Sequence, residues 1–111
     1  MKFITSEELA NSKDKNLFLL DIRDDDTYSD GHIENSLQID VYIELKLGNI
    51  KKVKEKFSHL PKNKTIITIC NAGITAQKAS AVLEEMGYKT KVLEGGMMAW
   101  GGNNPVKTGF K

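Results

Sequence analysis

The segment that constrains the fold most strongly begins at residue 65. Thr65–Ile69 contains only β-branched residues, which predicts a buried strand. Cys70 follows this strand directly, and the small loop behind it contains Gly73. Beyond the loop, apolar residues recur at helical spacing, at Ala76, Ala79, Leu83 and Met86. A strand that leads into a helix through a short loop is typical of a parallel α/β sheet.

The rest of the chain repeats this alternation of strands and helices. Further strands are predicted at residues 3–4, 17–22, 36–39 and 89–93. Five further helices are predicted. One begins after a cap at Ser6, one covers 25–29 and ends at Gly31, and one covers 96–100. The other two lie within 41–57, on either side of a break at Gly48 and Asn49. The pattern predicts an α/β fold with a parallel sheet covered on both faces.

Length and cysteine content limit the function classes. At 111 residues, the chain is expected to be one domain spanning residues 1–111. Its single cysteine excludes an internal disulfide. The start, MKFITSEELA, becomes charged before an apolar stretch develops, and no run reaches membrane-spanning length. We therefore expect a cytoplasmic protein without a membrane partner, in which the thiol stays reduced.

The charge is balanced overall but unevenly distributed. Lys and Arg number 16 against 15 Asp and Glu, a net charge of +1. Residues 46–64 hold seven lysines and one acid, and residues 21–30 hold five aspartates and one arginine. We interpret the first as a solvated helix face and the second as an acidic loop. The lysine stretch has no arginine and only Phe57 as an aromatic, so we expect no nucleic-acid partner.

Cys70 has two interpretations. A lone cysteine after an apolar strand is usually inert packing. The loop and the helix behind it favour chemistry instead, because ligands of open α/β sheets bind at the carboxyl ends of the strands. A loop with Gly73 can turn successive N–H groups towards the sulfur, and the start of the helix adds positive potential. Such a cradle stabilises a thiolate or an anionic sulfur adduct.

Three separated blocks of the sequence together resemble the pattern of a known protein family. The first block comprises residues 19–23, 31–33 and 36–39, with the sequences LLDIR, GHI and SLQI. The second is the loop over 70–75, whose six positions fit the active-site loop of that family. The third is LEGGMMAW over 93–100, with Pro105 and Val106 behind it. The blocks occur in the order and spacing of the rhodanese-like (thiosulfate sulfurtransferase-like) family, so the chain is identified as a single-domain member of that family.

The resemblance implies about five mainly parallel strands flanked by helices on both faces. It also implies that the Cys70 thiolate accepts a sulfane sulfur, becomes a persulfide and passes the sulfur to a second nucleophile. Cys70 is then the catalytic residue, and the backbone amides of the loop bind substrate, at Asn71, Ala72, Gly73, Ile74 and Thr75. No metal or organic cofactor is needed. The implied partners are a small-molecule or protein-bound sulfur donor and a thiol acceptor.

The loop departs from the family pattern at its last position. Many catalytic members have arginine there, often followed by serine, whereas this chain has Thr75 and Ala76. A guanidinium grips an oxyanion such as thiosulfate through two parallel hydrogen bonds, but threonine donates one neutral bond. We therefore expect the protein to use thiosulfate weakly as a sulfur donor. The sequence does not exclude small or protein-bound persulfide donors.

Other landmarks are interpreted as structural. In the family, Asp21 and Arg23 tie neighbouring loops together, and we expect the same here. His32 has no partner motif and is expected to be a hydrogen-bonded strut. Trp100 is expected in the core with Met97 and Met98.

Two other function classes share this architecture. A non-catalytic binding or regulatory module is favoured by Thr75 and Ala76 but opposed by the presence of Cys70. A cysteine phosphatase or arsenate reductase also uses a cysteine in an amide-lined loop. That chemistry needs an arginine in the loop for the tetrahedral oxyanion, so it is the less favoured alternative.

Overall fold

The computed structural model describes residues 1–100, so Pro105 and Val106 of the third sequence block lie outside the described residues. The strands are β1 (Phe3–Ile4), β2 (Leu17–Asp21), β3 (Leu37–Gln38), β4 (Thr65–Ile69) and β5 (Lys89–Leu93). The helices are α1 (Ser6–Asn11), α2 (Asp25–Asp30), α3 (Tyr42–Lys46), α4 (Ile50–Lys56), α5 (Ile74–Glu85) and α6 (Gly96–Trp100). Every predicted strand and helix is present, and only the ends differ.

All five strands pair in parallel in the order β1-β5-β4-β2-β3. The strand with the strongest β-propensity, β4, is therefore central, with β5 and β2 beside it. Because the strands are parallel, the carboxyl ends of these three neighbours meet at one edge of the sheet. This edge is where Cys70 lies.

The side chains of β4 alternate between two apolar layers, as the period of a strand requires. Ile66 packs in the layer that α3, α4 and α5 cover, together with Phe57 and Leu83. Ile67 and Ile69 pack in the opposite layer with Leu9 of α1 and Trp100 of α6. The sheet thus has helices on both faces, which confirms the predicted fold class.

Two local predictions are wrong. Thr5, and not Ser6, caps α1: its hydroxyl accepts from the backbone N–H of Glu8, and the Glu8 carboxylate accepts from the N–H of Thr5. This reciprocal pair satisfies two N–H groups at the helix start, which a cap one residue later does not do. Met98 is not in the core, because its side chain is 77% exposed, whereas Trp100 is buried.

Within residues 1–100, no helix has the length and apolar character that crossing a membrane requires.

Candidate active site

Cys70 lies directly after the central strand, at the point where the backbone turns into α5. Its side chain is 5% exposed and forms part of the apolar layer beneath α5. A hydroxyl beneath the start of α5 fixes that helix to the strand, since Thr68 Oγ1 donates to the Ala76 carbonyl at 3.1 Å and lies 2.8 Å from Ser80 Oγ. The start of α5 is therefore held at a fixed position beside the sulfur.

Two backbone N–H groups donate to the sulfur. The Gly73 nitrogen lies 3.0 Å from Cys70 Sγ, and the Ala76 nitrogen lies 3.3 Å from it. Gly73 is the N-cap of the 12-residue helix α5 and has a φ of +91°. Both donors thus come from the positive end of a helix, where N–H groups lack partners within the helix. The arrangement suits a negative charge on the sulfur.

The opposite side of the loop is held by α6. The carbonyl of Cys70 accepts from the Met97 N–H at 2.8 Å, and the carbonyl of Asn71 accepts from the Met98 N–H at 2.9 Å. This contact requires Gly96, whose φ is +60°, because a Cβ there would lie 2.4 Å from the Cys70 carbonyl oxygen. With these two carbonyls bound to α6, the loop directs N–H groups towards the sulfur.

Asp21 and Arg23 join the loop to the end of β2. The Arg23 guanidinium donates to both carboxylate oxygens of Asp21, with Nε at 2.9 Å from Oδ1 and Nη2 at 2.8 Å from Oδ2. Nη2 also donates to the Gly31 carbonyl at 2.8 Å, and Nη1 reaches Asn71 Oδ1 at 3.5 Å. Both side chains are buried. The predicted role of this pair in tying loops together is confirmed.

A cavity of about 530 Å³ opens above Cys70. Its lining combines the cysteine loop with the end of β2 and the starts of α2 and α3: Ile22, Arg23, Asp24, Thr27, Tyr42, Cys70, Asn71, Ala72, Ile74 and Thr75. A concave site of this volume has the size of a small-molecule site, and its lining mixes apolar with polar side chains.

The cavity brings together most of the residues that the sequence singled out. Cys70 lines it with Asn71, Ala72, Ile74 and Thr75, while Gly73 supplies an N–H to the sulfur. Whether Cys70 is catalytic and the loop binds substrate stays a prediction.

Sequence reasoning missed three residues of the cavity and one donor. Thr27 and Tyr42 belong to no sequence motif, and the sequence pattern indicates for Asp24 only that it belongs to an acidic loop. The sequence signal that could have identified these residues is their position shortly after β2 and β3, because these strands end at the same edge of the sheet as β4. Ala76 was placed beyond the amide cradle, but its N–H is one of the two donors to the sulfur.

Asp24 is the N-cap of α2, and its Oδ1 accepts from the Thr27 N–H at 2.8 Å. Hydrogen bonds from the backbone and the side chain of Thr27 hold the pKa of the Asp24 carboxyl below its usual range. The carboxylate is therefore ionised at neutral pH and lies at the exposed rim of the cavity.

His32 does not line the cavity. Its Nδ1 lies 2.8 Å from the Tyr28 carbonyl oxygen, and its ring stacks on the Tyr28 ring at a centroid distance of 3.8 Å. The prediction of a hydrogen-bonded strut is confirmed. Across residues 1–100, no three His, Cys, Asp or Glu side chains are grouped so that they could hold a metal ion.

The sequence and the fold both match known proteins. A family model described as Rhodanese-like domain matches residues 5–103. YtwF of Bacillus subtilis (strain 168), provisionally named a sulfurtransferase, is 35% identical over 94 residues, which are 85% of this chain and 82% of YtwF. The thiosulfate sulfurtransferase GlpE of Coxiella burnetii is 28% identical over 100 residues, which are 89% of this chain and 85% of GlpE.

The fold is similar to that of a solved rhodanese-related protein from Thermoplasma volcanium. The two structures superpose with a TM-score of 0.80 at 26% sequence identity, and the match covers 96% of this chain and 98% of that one.

Proposed function

Because the chain belongs to the rhodanese-like domain family, we propose that it is a sulfurtransferase that carries sulfane sulfur on Cys70 as a persulfide. The observation that carries this proposal is the position of Cys70 Sγ. It lies at a cavity and within hydrogen-bond distance of the Gly73 and Ala76 N–H groups. A buried cysteine with a purely packing role needs neither feature.

In the first half-reaction, the Cys70 thiolate attacks the outer sulfur of a donor R–S–SH. The new bond joins Cys70 Sγ to that sulfur, and the S–S bond of the donor breaks. The electron pair of the broken bond leaves with R–S⁻, while the proton stays on the transferred sulfur. The products are Cys70–S–SH and R–S⁻, so atoms and charge balance.

In the second half-reaction, an acceptor thiolate R′–S⁻ attacks the outer sulfur of the Cys70 persulfide. The S–S bond breaks, the thiolate of Cys70 leaves, and R′–S–SH departs. Two displacements at sulfur replace one direct transfer, which is the benefit of covalent catalysis. Both steps use only the thiol of Cys70 and its N–H donors, with no metal and no organic cofactor.

The N–H donors stabilise the anionic forms of the site. The sulfur of Cys70 is anionic as the thiolate that attacks the donor and again as the thiolate that leaves in the second step, so negative charge is present or develops at Sγ in both half-reactions. Fixed N–H groups at a helix N-terminus act on that charge without having to reorganise. Their orientation is maintained from behind, by the contact between the Cys70 and Asn71 carbonyls and α6.

Thr75 makes thiosulfate a weak donor. Thr75 lies in the first turn of α5 and lines the cavity. The family resemblance implies an arginine at this position in many catalytic members. The guanidinium that does line the cavity, Arg23, is already bound to Asp21. Among the described residues that line the cavity, no other cation is available to bind an oxyanion through two hydrogen bonds, and persulfide donors suit the site better.

The sources and targets of the sulfur follow from the same chemistry. We propose a small-molecule or protein-bound donor and a thiol acceptor, in the cytoplasm, with neither nucleic acid nor membrane as a partner. Thiols and persulfides are both maintained in a reducing compartment.

Steady-state sulfur transfer tests this proposal. We expect the full chain to transfer sulfur from polysulfide or cysteine persulfide to glutathione, and Cys70→Ser to reduce the rate to that of a sample without protein. Wild-type protein alkylated at its single thiol is the matched control and should be equally inactive.

Three results would contradict the proposal. Transfer that persists in Cys70→Ser would remove the cysteine from the reaction, and the absence of transfer from every donor would favour a non-catalytic module. Hydrolysis of an aryl phosphate that depends on Cys70 would favour the phosphatase alternative.

A further inference from the structure

We propose that Asp24 is a specificity-determining residue of the Cys70 cavity, which disfavours dianionic sulfur donors and so favours an organic persulfide. This inference rests on the proposed sulfurtransferase function and names the substrate class of that site. It concerns a residue outside the cysteine loop.

Asp24 lies on the wall of the cavity formed by the end of β2 and the start of α2. Its carboxylate is held in place, because Oδ1 accepts from the Thr27 N–H at 2.8 Å and Thr27 lines the same cavity. The cap fixes a negative charge at the exposed rim of the cavity that contains Cys70. The hydrogen bonds from Thr27 lower the pKa of the Asp24 carboxyl, so it is ionised at neutral pH.

The charged side chains around the cavity do not neutralise the Asp24 carboxylate, so their net charge is negative. Among the described residues that line the cavity, the ionic side chains other than Cys70 are Arg23 and Asp24. The Arg23 guanidinium makes three hydrogen bonds to the carboxylate of Asp21, which is fully buried. The two carboxylates and one guanidinium sum to −1, and the Cys70 thiolate adds further negative charge. A dianion such as thiosulfate meets repulsion from both.

The rest of the lining suits a carbon-bearing donor. Ala72 and Ile74 present apolar surface, and Tyr42 adds an aromatic ring. Ile74 is 67% exposed and Tyr42 is 44% exposed, so both side chains have surface that a bound donor can cover. The carbon chain of an organic persulfide gains by burying this surface, whereas inorganic thiosulfate has no such group.

Asp24→Asn isolates the charge, because asparagine caps a helix about as well as aspartate. Asp26→Asn is the matched control: it removes an equal charge from the first turn of the same helix, at an exposed residue outside the cavity lining. We expect Asp24→Asn to raise kcat/KM for thiosulfate relative to cysteine persulfide by about three- to tenfold at low ionic strength. Asp26→Asn should change that ratio less than about twofold.

Alkylation of the single thiol gives a second readout that does not depend on sulfur transfer. The rate ratio of anionic iodoacetate to neutral iodoacetamide reports the electrostatic potential at Cys70. We expect Asp24→Asn to raise this ratio about two- to fivefold, with the effect shrinking in high salt and absent in Asp26→Asn.

The two readouts separate the failure of this inference from that of the proposed function. If cysteine persulfide is turned over but Asp24→Asn changes neither ratio, or changes both no more than Asp26→Asn does, the role of Asp24 is overturned. If no donor is turned over by any variant, the proposed function fails and the donor preference fails with it. A raised iodoacetate ratio in that case would show that Asp24 sets the potential at a cysteine with another role.

Discussion

At position 70, a buried thiol faces a cavity on one side and a helix start on the other. The side chain is almost entirely buried, yet the cavity reaches it, and two N–H groups lie within 3.3 Å of the sulfur. Burial alone disfavours a charged sulfur, while N–H donors favour it. The two donors are what separates this cysteine from a core residue of the same exposure.

Thr75 offers a direct test of what the loop contributes to donor choice. Thr75→Arg should raise kcat/KM for thiosulfate by about one to two powers of ten, because a charge-assisted hydrogen bond contributes roughly 1.5–3 kcal/mol. The change for cysteine persulfide should be much smaller, since that donor has no oxyanion at its reacting end. Steady-state kinetics of the wild type and the variant with both donors measure the difference.

Equal changes for the two donors would show that position 75 does not set donor choice. High thiosulfate activity of the wild type would show that the arginine is dispensable in this chain.

The residues of the loop were accessible to sequence reasoning because they are contiguous. A strand, a cysteine, a glycine and a helix follow one another within residues 65–86, and each has a local signal. Thr27 and Tyr42 reach the cavity only through the pairing of β2 with β4 and β3, which no local pattern encodes. Asp24 had a local signal as a helix cap, but its place in the lining of the Cys70 cavity depends on the same long-range pairing.

Among the elements, α6 has a larger role than its five residues suggest. Its first N–H groups bind the carbonyls of Cys70 and Asn71, and Gly96 permits the close approach. The glycine pair at 95 and 96 was visible in the sequence as part of a family block, but its purpose was not. A glycine that admits a neighbouring backbone can be recognised only when that backbone is in place.

Gly96→Ala tests this contact. The new Cβ would lie 2.4 Å from the Cys70 carbonyl oxygen and 2.6 Å from the Asn71 carbonyl carbon, at a φ of +60°. Left-handed strain of roughly 1–2 kcal/mol and overpacking of roughly 1–3 kcal/mol together predict a loss of about 2–5 kcal/mol in the free energy of unfolding. Chemical denaturation measures this loss, and the rate of Cys70 alkylation should change with it.

Gly48→Ala is the control for backbone strain alone. Gly48 has a similar φ of +73°, but a Cβ there would meet nothing within 4 Å. We expect the control to lose only the strain and to keep the wild-type alkylation rate. If the two variants lose the same stability, the close approach of α6 to the cysteine loop is not what requires glycine at position 96.

At the scale of the molecule, the strand order explains why the three sequence blocks lie so far apart. The order β1-β5-β4-β2-β3 sets the ends of β2, β4 and β5 side by side, and these ends carry Asp21, Ile69 and Leu93. The first block includes the end of β2, the second follows the end of β4, and the third begins at the end of β5. The three blocks therefore converge on Cys70. The alternation of elements predicted a parallel sheet, but the order of its strands depends on contacts distant in sequence.

The central claim is that Cys70 accepts and releases one sulfur atom. Intact-protein mass spectrometry tests it after exposure to cysteine persulfide and removal of the excess donor. The account predicts a gain of one sulfur per chain, its disappearance when glutathione is added, and no gain in Cys70→Ser. An unchanged wild-type mass with every donor, or an equal gain in Cys70→Ser, would contradict it.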